Sequence, residues 1–361
     1  MIQRLSVQFT SVLALFVALV FLLSAQKPSD PLAAFGAIQP IDTHAHAFKV
    51  DPAFYSMLDR LHLHILDICV ANRHDPNFAN LEAKIRAAKA FVRGSGGHAA
   101  LCTTFDPFKF SDASFSKEAI AQLNRDFADG AVAVKIWKNV GMELKNAEGK
   151  FVMPDDARLE PIYRDIAEHH KILVAHLAEP DSCWLPPDKS SPDYNYYRVH
   201  PEWYMYRQPD HPSKQTILQA RDHILEMNPN LRVVGAHLGS LERNLDELGR
   251  DFDRYPNFAV DTAARVLYLG LAPREKTRQF LIHYQDRVLY ATDLEFHPSE
   301  DTAAAIAAWQ KRYATDWNFF SSNEMIDYQG HQVRGLELPE PVLRKLFREN
   351  ALRWIPGIVA R

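Results

Sequence analysis

Three features are scarce in this chain: cysteine, excess positive charge, and long apolar runs. Its cysteines are Cys69, Cys102 and Cys183, which are too few and too scattered for a disulfide framework. We expect Cys69 and Cys102 to be small core residues and Cys183 to lie in a loop where it can be exposed. The formal net charge of −4 provides no basic surface for a phosphate backbone, so nucleic acid is not an expected partner.

The longest apolar run, residues 12–23, is shorter than the roughly 18 to 20 residues that span a bilayer. With Arg4 before it and the small residue Ala25 after it, the run is typical of an export signal. We therefore expect a signal peptide over residues 1–25, a linker over 26–34 and one domain over 35–361. The mature protein would then be periplasmic or secreted, without a membrane span, and an uncleaved anchor is the alternative.

Eight β-branched apolar runs alternate with amphipathic stretches of helical length. The predicted strands are residues 38–43, 64–71, 99–104, 131–137, 172–176, 232–237, 258–261 and 287–292. Eight such units over about 300 residues predict an α/β fold, namely a closed (β/α)8 TIM barrel. A doubly wound open sheet is the alternative, but it normally carries a glycine-rich turn after its first strand.

An insertion is predicted after strand 5, over residues 181–212. Its 32 residues include six prolines and seven aromatic residues, a content that argues against disorder. Long loops in compact domains are usually functional. We interpret the segment as a lid or pocket wall, and a structural role or a contact in a homo-oligomer is the alternative.

Polar residues mark the ends of several predicted strands. The sequence Asp42-Thr-His-Ala-His46 follows the first apolar run, and an H-x-H pair in extended chain places both imidazoles on one face. Lys135, His176, His237 and Asp293 stand at the ends of later strands. Since barrel active sites lie at the C-terminal ends of the strands, these residues are expected to meet. A second pair, His62 and His64, precedes its strand and is expected at the opposite rim.

In these motifs the chain resembles the amidohydrolase superfamily, specifically its amidohydrolase-related (amidohydrolase 2) group of metal-dependent TIM-barrel hydrolases and decarboxylases. The resemblance rests on Asp42-Thr-His-Ala-His46, His176, Gly235-Ala-His-Leu-Gly239, Thr292-Asp293 and a closing helix over residues 338–351. It implies that His44, His46, His176 and Asp293 bind a divalent metal, with zinc as the expected ion. It also implies that Asp293 transfers protons and that His237 polarises the substrate.

Lys135 leaves the number of metal ions open. In binuclear relatives a carboxylated lysine at this position bridges two metals, and His237 then binds the second. In mononuclear relatives the lysine has no metal role. Arg73 and Arg265 follow other strands and are candidates for holding a substrate carboxylate. Alternatively, each arginine pairs with a neighbouring acid such as Asp75 or Asp261.

Three functions remain as hypotheses. The first is a metal-dependent hydrolase that attacks a lactone, amide or ester-like carbonyl of a small molecule with metal-activated water. The alternative is a metal-dependent decarboxylase, a lyase, of an aromatic or unsaturated carboxylic acid. A binding protein that has lost catalysis is the third, and it is disfavoured because no expected ligand position is substituted.

Overall fold

The structure is a computed structural model that describes residues 31–359. The predicted signal peptide and the first part of the predicted linker lie outside these residues, so export and localisation stay predictions. Among the described residues, no helix is both long enough and apolar enough to cross a membrane. A short helix, α1 (Pro31–Ala37), covers the predicted boundary between linker and domain.

The centre of the fold is a nine-stranded parallel sheet. Its strands are β1 (Ile41–Ala47), β2 (His64–Ile68), β3 (Ala99–Thr104), β4 (Ala133–Ile136), β5 (Ile172–Ala175), β6 (Arg232–Gly235), β7 (Phe258–Asp261), β8 (Val288–Leu289) and β9 (Leu294–Phe296). Strands β1 to β8 pair in chain order, and β9 pairs with β1. The sheet and the helices on it confirm the predicted α/β class and are consistent with a TIM-like barrel.

Only residues 288–289 of the eighth predicted strand form a strand, β8, which pairs with β7. Strand β9 lies beyond the predicted end and pairs with β1. Between them, the carbonyl of Tyr290 accepts a hydrogen bond from the backbone N–H of Thr43 at 3.0 Å. One short segment therefore contacts both ends of the sheet. Asp293 lies at the break with a φ of 65°, outside the range of a continuous strand.

The first strand begins three residues later and ends four residues later than predicted. Residues 35–37 belong to α1, and Gln39 with a φ of 49° and then Pro40 end that helix before β1 begins at Ile41. The shift moves His44 and His46 from the end of the strand into its body. Both are buried there, within a strand whose residues are all buried.

Helices follow most of the strands. They are α2 (Pro52–Arg60), α3 (Leu81–Gly94), α4 (Phe115–Ala128), α5 (Glu160–Glu168), α6 (Tyr194–Val199), α7 (Lys214–Met227), α8 (Leu245–Arg254), α9 (Val266–Leu271), α10 (Arg274–His283), α11 (Thr302–Ser321), α12 (Glu340–Arg344) and α13 (Asn350–Trp354). A hairpin of β10 (Met325–Tyr328) and β11 (His331–Arg334) follows α11.

Two layers of apolar side chains hold the fold together. One lies between the strands and the helices packed on them. The other joins alternate strand residues, such as Ile68, Val174 and Val234, to Trp354 and Ile358 of the C-terminal segment. Cys69 and Cys102 are buried as expected, but so is Cys183, whose predicted exposure is wrong. Its thiol contacts the carbonyl of Trp203 at 3.0 Å, so neighbouring chain covers it.

The connection between β5 and α7 contains residues 181–212, called here the aromatic segment. It includes a 3₁₀ turn at Asp181–Cys183, helix α6 and a second 3₁₀ turn at Pro201–Trp203. The side chains of Tyr197 and Trp203 are buried against the rest of the protein. Whether the segment acts as a lid stays a prediction.

Candidate metal centre

His44, His46 and Asp293 form a group that could hold a metal ion. One ligand atom from each lies within 4.8 Å of the other two. Oδ1 of Asp293 lies 3.4 Å from Nε2 of His44 and 3.2 Å from Nε2 of His46. Two imidazole nitrogens and a carboxylate oxygen are ligands that suit several divalent transition metals. The sequence predicted these three residues, and the fold brings them together.

Hydrogen bonds to Nδ1, the ring nitrogen that does not face Asp293, fix both imidazoles. Nδ1 of His44 lies 2.9 Å from Oδ2 of Asp261, and Nδ1 of His46 lies 2.7 Å from the carbonyl oxygen of Ile68. A carboxylate and a carbonyl only accept hydrogen bonds, so each Nδ1 is assigned as the protonated nitrogen. Each Nε2 then presents its lone pair toward Asp293. Acceptors of this kind commonly orient metal-binding histidines.

The electrostatics around His44 keep its ring neutral. Burial is the main effect that lowers the pKa of His44, and the positive charge of Lys135 adds to it. A neutral imidazole is the form that binds metal. The surroundings of His44 therefore favour a ligand over an imidazolium.

The backbone around Asp293 is held by two connections to β1. The N–H of Asp293 donates to the carbonyl of His44 at 2.8 Å. The buried carboxylate of Asp42 accepts from the hydroxyl of Thr292 at 2.5 Å and from the hydroxyl of Tyr313 at 3.1 Å. Burial raises the pKa of Asp42 to about 7, although these hydrogen bonds oppose the effect. Asp42 thus connects β1 to Thr292, the residue that precedes Asp293.

His176 and His237 contact each other beside this group. Nδ1 of His176 lies 3.1 Å from Nε2 of His237, whose own Nδ1 lies 2.9 Å from the carbonyl of Ala263. His176 does not belong to the three-residue group, but its buried Nε2 has no hydrogen-bond partner in the described chain. An unpartnered imidazole nitrogen at this place fits a further metal ligand. The rings of His44 and His237 are 5.0 Å apart, so all four histidines share one site.

A left-handed turn presents His237. Residues 237–240 all have a φ near 60°, and the N–H of His237 donates to Oδ1 of Asp261 at 2.8 Å. The turn packs closely on β7: a Cβ at Gly235 would lie 2.9 Å from the ring of Phe258. Strained backbone of this kind persists where the surroundings determine it, and it is common at functional sites.

Lys135 lies at the metal group. Its side chain is fully buried, and its Nζ is 3.3 Å from Nε2 of His44. Burial lowers the pKa of Lys135. A lysine with a lowered pKa can form a carbamate. The position of Lys135 therefore fits a site with one metal ion and an unmodified lysine, and it also fits a site with two metal ions and a carbamate.

The two candidate substrate-binding arginines lie in different settings. Arg73 has half of its side chain exposed, pairs with Glu143 at 3.3 Å and stacks on Phe108. Its expected acid partner, Asp75, pairs instead with Lys84. Arg265 is buried, and its Nε has no hydrogen-bond partner among residues 31–359. Arg265 stands two residues after Ala263, whose carbonyl lies 2.9 Å from Nδ1 of His237, so this stretch of chain adjoins the site. Burial opposes the charge of Arg265, but the negative charges of Glu242 and Glu179 raise its pKa.

Two acids near the site were not given these roles by the sequence. Asp261 was considered only as a partner of an arginine, yet it holds His44 and His237. Glu179 forms a short buried ion pair with Lys138 and lies 3.6 Å from Nε2 of His176. A buried acid that ends a strand was the available signal for Asp261, since β7 reads Phe-Ala-Val-Asp.

The chain matches the amidohydrolase family model Amidohydro_2 over residues 41–356 and belongs to that family. The match spans the strands that carry the metal group, and the family resemblance predicted from the sequence is confirmed. No curated protein matches the chain.

Solved structures share the fold. A Staphylococcus aureus protein assigned as an amidohydrolase is 11% identical, with a TM-score of 0.51 and coverage of 88% of this chain and 99% of that one. A dihydroxybenzoic acid decarboxylase from Polaromonas sp. JS666, with bound manganese and the inhibitor 2-nitroresorcinol, is 14% identical. Its TM-score is 0.50, with coverage of 87% and 96%. A 2,6-dihydroxybenzoate decarboxylase from Rhizobium is 14% identical, with a TM-score of 0.49 and coverage of 87% and 98%.

Proposed function

We propose that this protein is a metal-dependent decarboxylase of a small aromatic carboxylic acid. The observation that carries the proposal is the buried Arg265, which has an unpartnered guanidinium nitrogen and follows the segment whose Ala263 carbonyl contacts His237 at 2.9 Å. Guanidinium groups bind carboxylates in a fixed planar geometry. Support for the substrate class comes from the Polaromonas decarboxylase, which shares the fold and binds manganese with a resorcinol-type inhibitor.

His44, His46 and Asp293 would hold the ion, and His176 would be the further ligand. A divalent ion at this place supplies Lewis acidity toward a substrate oxygen. Arg265 would bind and orient the carboxylate that leaves as carbon dioxide. The bond between the ring carbon and the carboxylate breaks, and the ring carbon takes a proton in its place. Asp293, whose side chain is 30% exposed, or His237 would take that proton from water and pass it to the ring carbon.

Hydrolysis is the second candidate. The side chain of Asp293 is 30% exposed, so water can reach its carboxylate beside the two histidines. A carboxylate in this place can accept the proton of an attacking water. The substrate would then be a lactone, amide or ester-like compound. The ion expected from the sequence is zinc, and manganese is the one bound by the Polaromonas relative.

One set of assays separates the two reactions. Purified protein loaded with zinc or with manganese is incubated with hydroxybenzoic acids, and carbon dioxide release is measured. Parallel incubations with lactones and amides measure acid release. Carbon dioxide from the acids supports the decarboxylase, and acid from lactones or amides with no carbon dioxide supports the hydrolase.

Matched variants connect the activity to the site. Asp293→Asn should abolish turnover with either substrate class. Arg265→Gln should raise the KM for a carboxylate substrate at least about tenfold, because it removes a charged hydrogen-bond donor. Arg73→Gln makes the same change at an exposed position and should leave KM unchanged. Equal effects of the two arginine variants would contradict the role given to Arg265.

A further inference from the structure

A cavity of about 560 Å³ lies in the aromatic segment. Its walls include Leu185, Pro187, Tyr194, Tyr204, Arg198 and Arg243, and no metal-centre residue lines it. Small-molecule sites are typically mostly apolar cavities of roughly 300 to 1,000 Å³ with a few polar groups. The size and lining of this cavity are those of a ligand site.

Internal contacts hold the walls in place. The hydroxyl of Tyr204 donates to the carbonyl of Leu185 at 2.6 Å, and its ring stacks on that of Tyr197 at 5.4 Å. The indole N–H of Trp184 donates to the carbonyl of Pro212 at 3.2 Å, closing the two ends of the segment on each other. The ring of Tyr204 is therefore positioned before any ligand arrives, which reduces the entropic cost of binding.

The cavity has two guanidinium groups that are not hydrogen-bonded to protein groups among the described residues and could therefore bind a ligand. Within residues 31–359, neither Arg198 nor Arg243 makes a hydrogen bond or a close ion pair. The guanidinium of Arg243 lies 5.2 Å from the centre of the Tyr268 ring, and its charge adds a small effect to the hydrogen bonds from Ser190 that lower the pKa of Asp188. The acids in the walls are already engaged. Asp181 pairs with Lys214 at 2.6 Å, and Asp188 accepts from the N–H and hydroxyl of Ser190 at 2.8 and 2.7 Å.

We propose that this cavity is a second ligand site, separate from the metal centre, for a planar aromatic carboxylate. Tyr194 and Tyr204 offer faces and edges on which an aromatic ring packs. Arg198 and Arg243 supply the charged donors that a carboxylate accepts. Binding at this place requires no metal ion, because none of the metal group touches the cavity.

The probe for this proposal is 2-naphthoate, titrated by equilibrium dialysis into metal-stripped full-length protein. We expect saturable binding with one site per chain. Arg198→Gln and Arg243→Gln should each weaken it about tenfold or more, because each removes a charged donor. Arg254→Gln is the matched control, since Arg254 lies on α8 and pairs with Glu226. It should bind the probe as the unchanged protein does.

A second comparison separates this site from the metal centre. His46→Gln removes a proposed metal ligand and should retain binding of 2-naphthoate. The neutral 2-naphthamide should bind at least about tenfold more weakly than the acid. Loss of binding in His46→Gln with retention in Arg243→Gln would place the probe at the metal centre and overturn the proposal. Absent binding, or equal binding of the amide, would also overturn it, whatever reaction the metal centre catalyses.

Discussion

The carboxylate of Asp261 lies 2.9 Å from Nδ1 of His44 and fixes which nitrogen of that imidazole faces Asp293. Its other oxygen accepts from the backbone N–H groups of His237 and Ala263, at 2.8 and 3.1 Å. One buried acid at the end of β7 therefore orients a residue from β1 and the turn after β6. The metal group depends on this residue although Asp261 is not one of its ligands.

Replacing Asp261 by Asn should weaken metal binding about 10- to 100-fold. The amide oxygen can still accept from the backbone N–H groups, but the amide nitrogen then faces Nδ1 of His44. As a donor it favours the tautomer with the proton on Nε2, which removes the ligand lone pair. Competition with a chromophoric chelator measures the affinity. Asp246→Asn, at an exposed acid paired with Lys276, is the matched control and should change nothing. Unchanged affinity in Asp261→Asn would contradict the positioning role.

Replacing His46 by Gln should lower the metal content of the purified protein from about one ion per chain to nearly none. A glutamine lacks the imidazole nitrogen that faces Asp293, and a site with one fewer ligand binds far more weakly. The control is His64→Gln, which alters a histidine at the start of β2 and should keep the metal. Elemental analysis after dialysis gives the ratio. Equal loss in both variants would place the ion elsewhere.

One ion per chain is expected, and Lys135 should carry no carbamate. Within the described chain, His44, His46 and Asp293 are the one set of three or more ligands gathered around a point. Native mass spectrometry of freshly purified protein measures both the number of ions and any added carbon dioxide. Two ions together with the carbamate on Lys135 would contradict this prediction and indicate a binuclear hydrolase.

The sequence predicted His44, His46, Lys135, His237 and Asp293 correctly as neighbours because of a simple regularity. Parallel strands end on one rim, so polar residues that interrupt apolar runs at the strand ends, or shortly before them, come close together there. The unequal settings of Arg73 and Arg265 could not be predicted in this way. Both follow strands, but loop packing leaves Arg73 half exposed beside Glu143 and buries Arg265.

The break at Asp293 could not be predicted from the sequence pattern either. Residues 287–292 read as one strand, and nothing in their composition shows that the chain turns at a φ of 65° and pairs with β1 beyond it. The contact between Asp42 and Thr292 that fixes this turn joins residues 250 positions apart. Long-range hydrogen bonds of this kind follow from the closed arrangement and not from local propensity.

Acid should destabilise the fold partly through His64. Burial, with smaller effects from His98 and Arg348, lowers the pKa of His64 from 6.5 to about 4. The unfolded chain binds a proton below pH 6.5 while the folded chain does not, so this contribution to stability is lost as the pH falls from about 6.5 to 4. Since His64 is only partly buried, we expect a loss of about 1 kcal/mol between pH 7 and 5. Urea unfolding at both values measures it, and His64→Gln should show a smaller loss. An unchanged pH dependence in that variant would contradict the prediction.

Replacing Gly235 by Ala should destabilise the fold and disturb the His237 turn. The new Cβ would lie 2.9 Å from ring atoms of Phe258 and 3.0 Å from Cα of Gly239, and both of these residues are buried. Overpacking of this kind costs about 1 to 3 kcal/mol. Gly249→Ala is the matched control, because the three atoms nearest to its Cβ all belong to the outer ring of Tyr284, a partly exposed side chain that can move toward solvent. Thermal unfolding compares the two variants, and activity at a temperature where both are folded tests the turn. If Gly235→Ala were as stable and active as Gly249→Ala, the close packing between β6 and β7 would not be what positions His237.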